Sequence, residues 1–305
     1  MFFAKKLKDL MPQRNLRFML HEHLSGFEPP RSLRLVHASA LTRPEGFCPR
    51  FYALSDASKA KPKDEWTAAA DVATYQIGRM WQDSIVDWFA DMGRAVGHWR
   101  CRACNQLHQF QKRPVKCESC MSRAFKPEEV RFTSAISGAS CGIDMMVDVG
   151  DPLLLPVEIK SMMKDQFKEL SAPLAEHRLR TALYLRLIAE SEHAWSAMVQ
   201  TTKAKVFYVC KGGYVADPEL RQWGLPDRYS PFKEYEIGRD DKQTEPLVAR
   251  ARVVKDYRAG EIGMPTGICS SAMVKRAKEC SLCKPCFSGD WPPTHDWKET
   301  TLDDA

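Results

Sequence analysis

Residues 142–160 read GIDMMVDVGDPLLLPVEIK, and the fold turns on this stretch. Val130–Val149 and Leu153–Ile159 are rich in β-formers, and Gly150-Asp151-Pro152 between them is a turn sequence, so the pattern predicts a β-hairpin. Asp151 is the midpoint between positions 144 and 158, so a symmetric hairpin sets Asp144 opposite Glu158. Opposed side chains on antiparallel strands have Cβ atoms about 4.5–5.5 Å apart on one face. That separation lets two carboxylates share a divalent cation. Lys160 lies two residues beyond Glu158 and shares its face, while Leu155, Val157 and Ile159 turn toward the core. Two bare carboxylates so close together repel each other and are costly to desolvate. Mg²⁺ or Mn²⁺ removes that cost and takes a phosphate oxygen and a water as further ligands. Such an ion acidifies the water and neutralises charge developing on the phosphate. Lys160 would orient the water or stabilise that charge, with the nearby ion shifting its pKa down. Asp148 has the parity of Asp144 but sits too near the turn. An Asp-x13-Glu-x-Lys pattern alone is common on wetted strands, but the apolar Leu153–Leu155 and Val157 around it argue against a simple wet face.

The rest of the chain supplies a frame for this hairpin. Its 305 residues, 44% hydrophobic and 28% charged, fit one large globular domain or two small ones. A helix is predicted over Thr67–Met92, with Ile77, Trp81, Ile85 and Trp88 as one buried stripe and Gly93 as its stop. A second is predicted over Pro173–Ser191 and a basic third over Thr244–Tyr257. Lys205–Cys210 reads as a buried strand turning at Lys211-Gly212-Gly213, and Tyr235–Ile237 as a short strand. The fold class expected is α/β, a central mixed β-sheet flanked by helices. No stretch approaches the ~18 apolar residues of a membrane span. Lys5, Lys6 and Lys8, with no apolar run behind them, do not read as a signal peptide. The expected setting is therefore the reducing cytoplasm. A net charge of +6, from 45 Lys+Arg against 39 Asp+Glu, permits a nucleic-acid partner without requiring one.

Eleven cysteines are the unusual count, and in a reducing compartment clustered thiols bind metals rather than each other. Cys101-x2-Cys104 and Cys117-x2-Cys120 form two knuckles separated by twelve residues. That is the pattern of a zinc ribbon, a closed tetrahedral site with no position left for water. Arg102, Lys112 and Arg113 lie in or beside its basic loop, with Trp99, His108 and Phe110 as flat surfaces. The combination fits contact with a DNA backbone and stacking on bases, against the plainer reading of cations that merely solvate a small module. A second cluster, Cys280-x2-Cys283-x2-Cys286, has Cys269 shortly before it. Cys141 and Cys210 lie in apolar strand sequence and are expected in the core.

Together these motifs resemble the RecB-like branch of the PD-(D/E)XK nuclease superfamily. More closely, the chain resembles the iron–sulfur nucleases related to the CRISPR-adaptation nuclease and to phage-encoded exonucleases. The resemblance runs from about His37 to Phe287. It rests on Cys48-Pro49-Arg50, on Gly78-x3-Gln82 leading to Gly97-His98-Trp99-x-Cys101, and on Gly142-Ile143-Asp144 with Glu158-Ile159-Lys160. It rests further on Pro173-x2-Glu176-His177-x2-Arg180-x3-Tyr184, and on Cys269 with Ala277-Lys278-x-Cys280 through Cys286-Phe287. The chain departs from the pattern at Gln82, where the family often has a metal-binding His, and at Arg180, where it has Gln.

The resemblance implies a restriction-endonuclease-like core laid out as a basic arm (1–36), a helical part of the nuclease domain (37–98), a zinc ribbon (99–123), the nuclease core (124–262) and an iron–sulfur region with a polar tail (263–305). It implies a 4Fe-4S cluster on Cys48, Cys269, Cys280 and Cys286, with Cys283 as the alternative to Cys269; a second zinc is the competing reading. Asp144, Glu158, Lys160, Gln82 and Tyr184 become the catalytic set, Asp144 and Glu158 holding the Mg²⁺ or Mn²⁺. Arg180, His177, Arg102, Lys112 and Arg113 become the DNA-contacting set. The implied activity is a metal-dependent deoxyribonuclease, an exonuclease on single-stranded or end-bearing duplex DNA. Its setting would be phage recombination, repair or replication in a host cytoplasm, with recombination or replication proteins as further partners and no membrane. The competing class is a non-catalytic or partner-dependent DNA-binding factor.

Overall fold

The computed structural model describes residues 19–20, 35–43, 46–55, 69–226, 228–280 and 282–289. Most of the basic arm, the expected helix start at Thr67 and the acidic tail lie outside these residues. In chain order the first elements are β1 (Val36–His37), α1 (Ala38–Leu41), α2 (Pro49–Leu54), α3 (Ala69–Asp91), β2 (Ala95–Cys101), β3 (Leu107–Lys112) and β4 (Phe125–Glu128). Then come β5 (Val130–Ser134), β6 (Ala139–Ile143), β7 (Met145–Val147), β8 (Leu155–Met163), α4 (Lys164–Glu169), α5 (Ala175–Ala189) and β9 (Lys203–Lys211). The last are β10 (Val215–Ala216), α6 (Glu219–Gln222), β11 (Tyr229–Ser230), β12 (Phe232–Gly238), α7 (Asp241–Arg258), α8 (Lys275–Glu279) and α9 (Cys283–Ser288).

The central sheet is mixed, in the order β12-β9-β8-β7-β2-β3, with β4 also paired to β2. β8 and β9 are parallel and the other pairs antiparallel. The connection between the parallel pair runs through α4 and α5, as a parallel crossover requires. A smaller sheet, β1-β6-β5, lies beside it. One stretch of chain serves both: β6 ends at Ile143 in the small sheet, Asp144 is a bend, and β7 begins at Met145 in the large one. Asp144 therefore stands where the chain passes from one sheet to the other.

Helices cover both faces of the central sheet. On one, α3 buries Ile85 and Val86 against Trp99, Met145, Val157, Ile159 and Val209. On the other, α5 and α7 pack Leu183, Tyr184, Leu187, Val248, Ala251 and Val254 against Met146 of this sheet and Phe132, Cys141 and Ile143 of the smaller one. All residues from Thr181 to Ile188 are buried, so α5 is enclosed on every side rather than amphipathic. The buried Arg186 is held by Glu190 and Glu245. Gly93, at φ +67°, ends α3, and the Arg94 N–H returns to the Phe89 carbonyl, which is the geometry of a glycine helix stop.

The stripe expected on α3 is only half covered. Ile85 is buried and Trp81 partly so, but Ile77 and Trp88 are each 47% exposed. Val72 near the helix start and Val86 near its end are buried with Ile85, so the covered line passes beside Ile77 and Trp88 rather than through them. α7 begins earlier than expected, at Asp241, because the Asp240 carboxylate accepts from the Gln243 N–H and caps it. The strand expected at Tyr235–Ile237 extends over Phe232–Gly238 through its full ladder with β9. Cys141 and Cys210 are buried, as expected.

Ile85 fills the contact between α3 and the sheet. Ile85→Ala should destabilise the protein by about 2–5 kcal/mol, read as a fall in the denaturant midpoint at unchanged slope. Ile77→Ala, at an exposed position of the same helix, should shift the midpoint far less.

Candidate active site and metal centre

The β7–β8 register pairs Met145 with Val157, Met146 with Pro156 and Val147 with Leu155. One step further along the same register sets Asp144 opposite Glu158. Asp144 is fixed by the Ile159 N–H, which donates to its Oδ2 at 2.7 Å, and by Gln82 Nε2, which donates to its Oδ1 at 2.9 Å. Gln82 reaches this point because α3 approaches β8 closely at Gly78, where an added Cβ would stand 3.3 Å from the Ser161 hydroxyl. That explains the Gly78-x3-Gln82 spacing: the glycine brings the helix in, and one turn later the amide meets the carboxylate. Glu158 is only 4% exposed. Its Oε1 forms an ion pair with Lys160 Nζ and accepts from the Tyr184 hydroxyl at 3.4 Å.

Burial, reinforced by the Glu158 charge, raises the Asp144 carboxyl well above the ordinary carboxylate range. Burial acts to lower the Lys160 ammonium, but the Glu158 and Asp144 charges outweigh it and the net shift is upward. The downward shift expected for Lys160 presumed a cation between the carboxylates; in the protein by itself the carboxylates set the sign. Burial and the Glu158 charge likewise hold the Tyr184 phenol well above its usual value.

Of the α5 residues, Tyr184 touches this centre through Glu158, while His177 and Arg180 lie near enough to sense the Lys160 charge. Burial, with Lys160 and Arg180 nearby, pushes the His177 imidazole down to about 3, so it is neutral. The Tyr208 hydroxyl accepts from the Leu174 N–H at 3.1 Å and lies within hydrogen-bond distance of His177 Nδ1, at 2.9 Å. Arg180 Nε donates to the Thr42 hydroxyl at 3.1 Å. Glu129 is a residue the sequence did not single out. Its charge helps raise Asp144, and Arg79 pairs with it at 3.0 Å. A Cβ on Gly142 would stand 2.6 Å from Glu129 Oε2, so the glycine before Ile143-Asp144 makes room for this third carboxylate. Its only sequence signal was adjacency to the β5 strand start. Asp148 is engaged elsewhere, by Lys112 at 3.1 Å and by Arg94.

The four thiols of Cys101, Cys104, Cys117 and Cys120 lie within 4.8 Å of one another. Zn–S bonds of about 2.3 Å in a tetrahedron put sulfurs about 3.8 Å apart, so the group can hold a metal ion. Each pair sits on the same backbone turn. The Asn105 N–H returns to the Cys101 carbonyl and the Met121 N–H to the Cys117 carbonyl, with Asn105 and Met121 at φ +64° and +63°. His108 is buried beside Cys117, and its Nε2 has no hydrogen-bond partner. Burial opposes ionisation of Cys117, but the His108 imidazole and the Ser119 and Cys120 N–H groups outweigh it and bring the thiol down to about 6. A metal-bound thiolate at Cys117 would give that orphaned ring nitrogen an acceptor.

Of the cations and rings expected to face DNA here, Arg102 and Lys112 are exposed, while the others are wholly or partly buried. Arg113 pairs with Asp87 and Asp91 and lies over the Trp99 ring, Lys112 pairs with Asp148, and Arg102 donates to the Phe125 carbonyl. Trp99 and His108 are buried, and Phe110 is half-buried and stacks on Trp195. β2 runs unbroken from Ala95 to Cys101, pairing β7 at one end and β4 at the other along the same edge. The ribbon is therefore a continuation of the central sheet.

The second cysteine group also converges. Cys48, Cys269, Cys280, Cys283 and Cys286 line one small apolar cavity of about 30 Å³, with Phe51, Leu54 and Phe287 among its walls. Cys48 caps α2. Arg50, two residues on, donates to the Pro265 carbonyl at 2.8 Å and approaches Cys286 Sγ at 3.8 Å. The Cys283 thiol is directed at the Ala272 carbonyl at 3.9 Å.

Fold and site together define a mixed α/β protein with a buried Asp–Glu–Lys centre and a four-cysteine group able to hold a metal. Neither a protein-family model nor a curated protein matches the sequence. Among solved structures, that of SSO0001 is similar over 92% of this chain and 95% of that one, at 15% identity and a TM-score of 0.36. That of LHK-Exo in complex with dAMP is similar over 75% of this chain and 90% of that one, at 12% identity and a TM-score of 0.34. No described helix is long and apolar enough to cross a membrane.

A raised Asp144 has a consequence for the metal-free protein. The folded state keeps a proton that the unfolded chain releases near the ordinary value of 3.8. This group's contribution therefore favours folding most at acid pH and is lost as pH rises through the raised folded value. Asp144→Asn removes the charge, so in a chelator it should raise Tm at about pH 8 and do so much less at about pH 4. A Tm that falls equally at both would contradict the burial of that charge.

Proposed function

We propose that the chain is a metal-dependent deoxyribonuclease of the RecB-like PD-(D/E)XK kind, acting as an exonuclease on single-stranded or end-bearing duplex DNA. The observation that carries the reading is the pair of carboxylates at Asp144 and Glu158, facing each other across β7–β8 with the Lys160 ammonium on Glu158. A buried pair of like charges is retained only where something of opposite charge repays it. Asp144 and Glu158 would hold Mg²⁺ or Mn²⁺, and Gln82 would flank them with a neutral amide. The bound ion would acidify a water and draw off charge from the phosphate under attack. Lys160 would orient that water, Tyr184 would hold Glu158, and Arg180 with His177 would meet the DNA strand from α5. Arg102 and Lys112, exposed on and beside the ribbon, would add contacts to the DNA backbone, and Arg113 would do so on leaving Asp87 and Asp91.

Zinc on Cys101, Cys104, Cys117 and Cys120 would lock the ribbon to β2. A 4Fe-4S cluster would sit in the apolar cavity on Cys48, Cys269, Cys280 and Cys286, which favours Cys283 as the spare thiol because it is directed at a carbonyl. It would tie residue 48 to the C-terminal helices. The setting we propose is phage recombination, repair or replication. One observation favours a non-catalytic DNA-binding factor instead: Gln82 and Lys160 already satisfy the two carboxylates.

Incubation of end-labelled single- and double-stranded DNA with Mg²⁺ or Mn²⁺ separates the two. The nuclease reading expects cleavage by wild type and a loss of roughly 10³-fold or more with Asp144→Ala or Lys160→Ala. Equal cutting by wild type and Asp144→Ala would sink it. Anaerobically purified protein should be brown and lose its colour with Cys48→Ser while keeping one zinc per chain; two zinc ions and no colour would overturn the cluster.

A further inference from the structure

After β9 the chain leaves the central sheet at Gly212 and returns at Pro231 through an excursion with its own architecture. β10 and β11 pair Val215 with Ser230 and Ala216 with Tyr229. In that register Tyr214 is diagonal to Tyr229 on the same face, and the two rings lie 5.2 Å apart at 52°. α6 ends at Trp223, followed by Gly224 at φ +77°, and the Leu225 N–H returns to the Leu220 carbonyl. This stop projects Trp223 from the end of the helix. Tyr214, Tyr229 and Trp223 are 59%, 57% and 65% exposed. Three large rings held open to water on a hydrogen-bonded frame are an unusual surface for a protein to keep.

The position of this frame says what would cover it. β8 carries Glu158 and Lys160 and ends at Met163, which pairs with Lys211, the last residue before the excursion. Three residues of strand separate Lys160 from that point, about 10 Å. Gly213 lies against the Lys164 side chain, close enough that a Cβ there would meet it at 2.8 Å. Lys164 lies against Gly213, and Lys211, Arg221 and Arg228 each stand within three residues of a ring in the chain; none of the four has an ion-pair partner among the described residues. Asp217 and Glu219 share the excursion, and the Asp217 carboxylate caps the Glu219 N–H. Exposed rings with unpaired cations close by in the chain match a ligand that alternates flat bases with phosphates. A duplex hides its base faces, so the fit is to an unpaired strand.

We propose that Tyr214, Tyr229 and Trp223 form a stacking platform for the unpaired bases of a DNA strand lying beside the Asp144–Glu158–Lys160 site. The platform rests on the nuclease reading for its biological sense, and binding can be measured without cleavage. The experiment is fluorescence anisotropy with labelled oligodeoxythymidine and with a blunt duplex of equal length, Ca²⁺ replacing Mg²⁺. Tyr214→Ala/Tyr229→Ala should weaken binding of the unpaired strand by about 10-fold or more. Tyr214→Phe/Tyr229→Phe should stay within about 2-fold of wild type, since the ring faces remain. Trp223→Ala, outside the ladder, should weaken it independently, and blunt-duplex binding should be unchanged throughout. Unpaired-strand binding that is indifferent to all three variants overturns the platform. So does a Phe pair that loses as much as the Ala pair, or a wild type that self-associates through these rings without DNA. Cleavage lost with Asp144→Ala while binding ignores the rings would leave the nuclease and remove the platform. Ring-dependent binding with cleavage indifferent to Asp144→Ala would do the reverse.

Discussion

A pair of carboxylates facing each other inside the protein is the constraint on which this structure depends. Glu158 is almost fully buried and Asp144 stands opposite it, so their repulsion must be met by neighbours whose positions the whole fold supplies. β8 brings Lys160 on the same face, and its backbone gives Asp144 the Ile159 N–H. α3 contributes Gln82 from one side of the sheet and α5 contributes Tyr184 from the other. The passage of the chain between two sheets at Asp144 lets one carboxylate be reached from both faces. Helix placement, the Gly78 contact and the Gly142 clearance for Glu129 all follow from assembling this centre.

The outlying parts are mounted on that frame by extension rather than by flexible linkage. The four-cysteine group stands on β2, which is itself a strand of the central sheet, and Arg113 ties the ribbon back to Asp87 and Asp91 on α3. The second cysteine group draws together residues far apart in sequence. Arg50 links α2 to Pro265 and Cys286, Arg276 reaches the Gly46 carbonyl, and Arg258 reaches the Tyr52 carbonyl. Three arginines therefore hold the Gly46–Leu54 segment on the C-terminal part of the chain even without a cluster in the cavity.

The hairpin was legible because its register is a matter of counting: a turn centred at Asp151 forces Asp144 opposite Glu158. The cysteine knuckles were legible because a two-residue spacer fixes local geometry. Burial on α3 was less so. Ile77, Trp81, Ile85 and Trp88 share a helix face, but which line along the helix the protein covers is a tertiary fact. The roles of Arg102, Lys112 and Arg113 were hidden for a similar reason. A basic loop looks free in sequence, and its acidic partners Asp87, Asp91 and Asp148 come from other elements. Glu129 joined the centre unannounced, since only the β5–β6 pairing, which sets Val130 opposite Ile143, brings it beside Gly142. The Tyr214–Tyr229 pair lies between two expected strands, and its ladder is too brief for periodicity to reveal.

Divalent-cation binding at Asp144 and Glu158 is read out by calorimetric titration of the purified protein with Mn²⁺. Saturable binding is expected in wild type and is lost with Asp144→Asn and with Glu158→Gln, both proteins remaining folded. Mn²⁺ binding of unchanged affinity and stoichiometry in those two variants would contradict it.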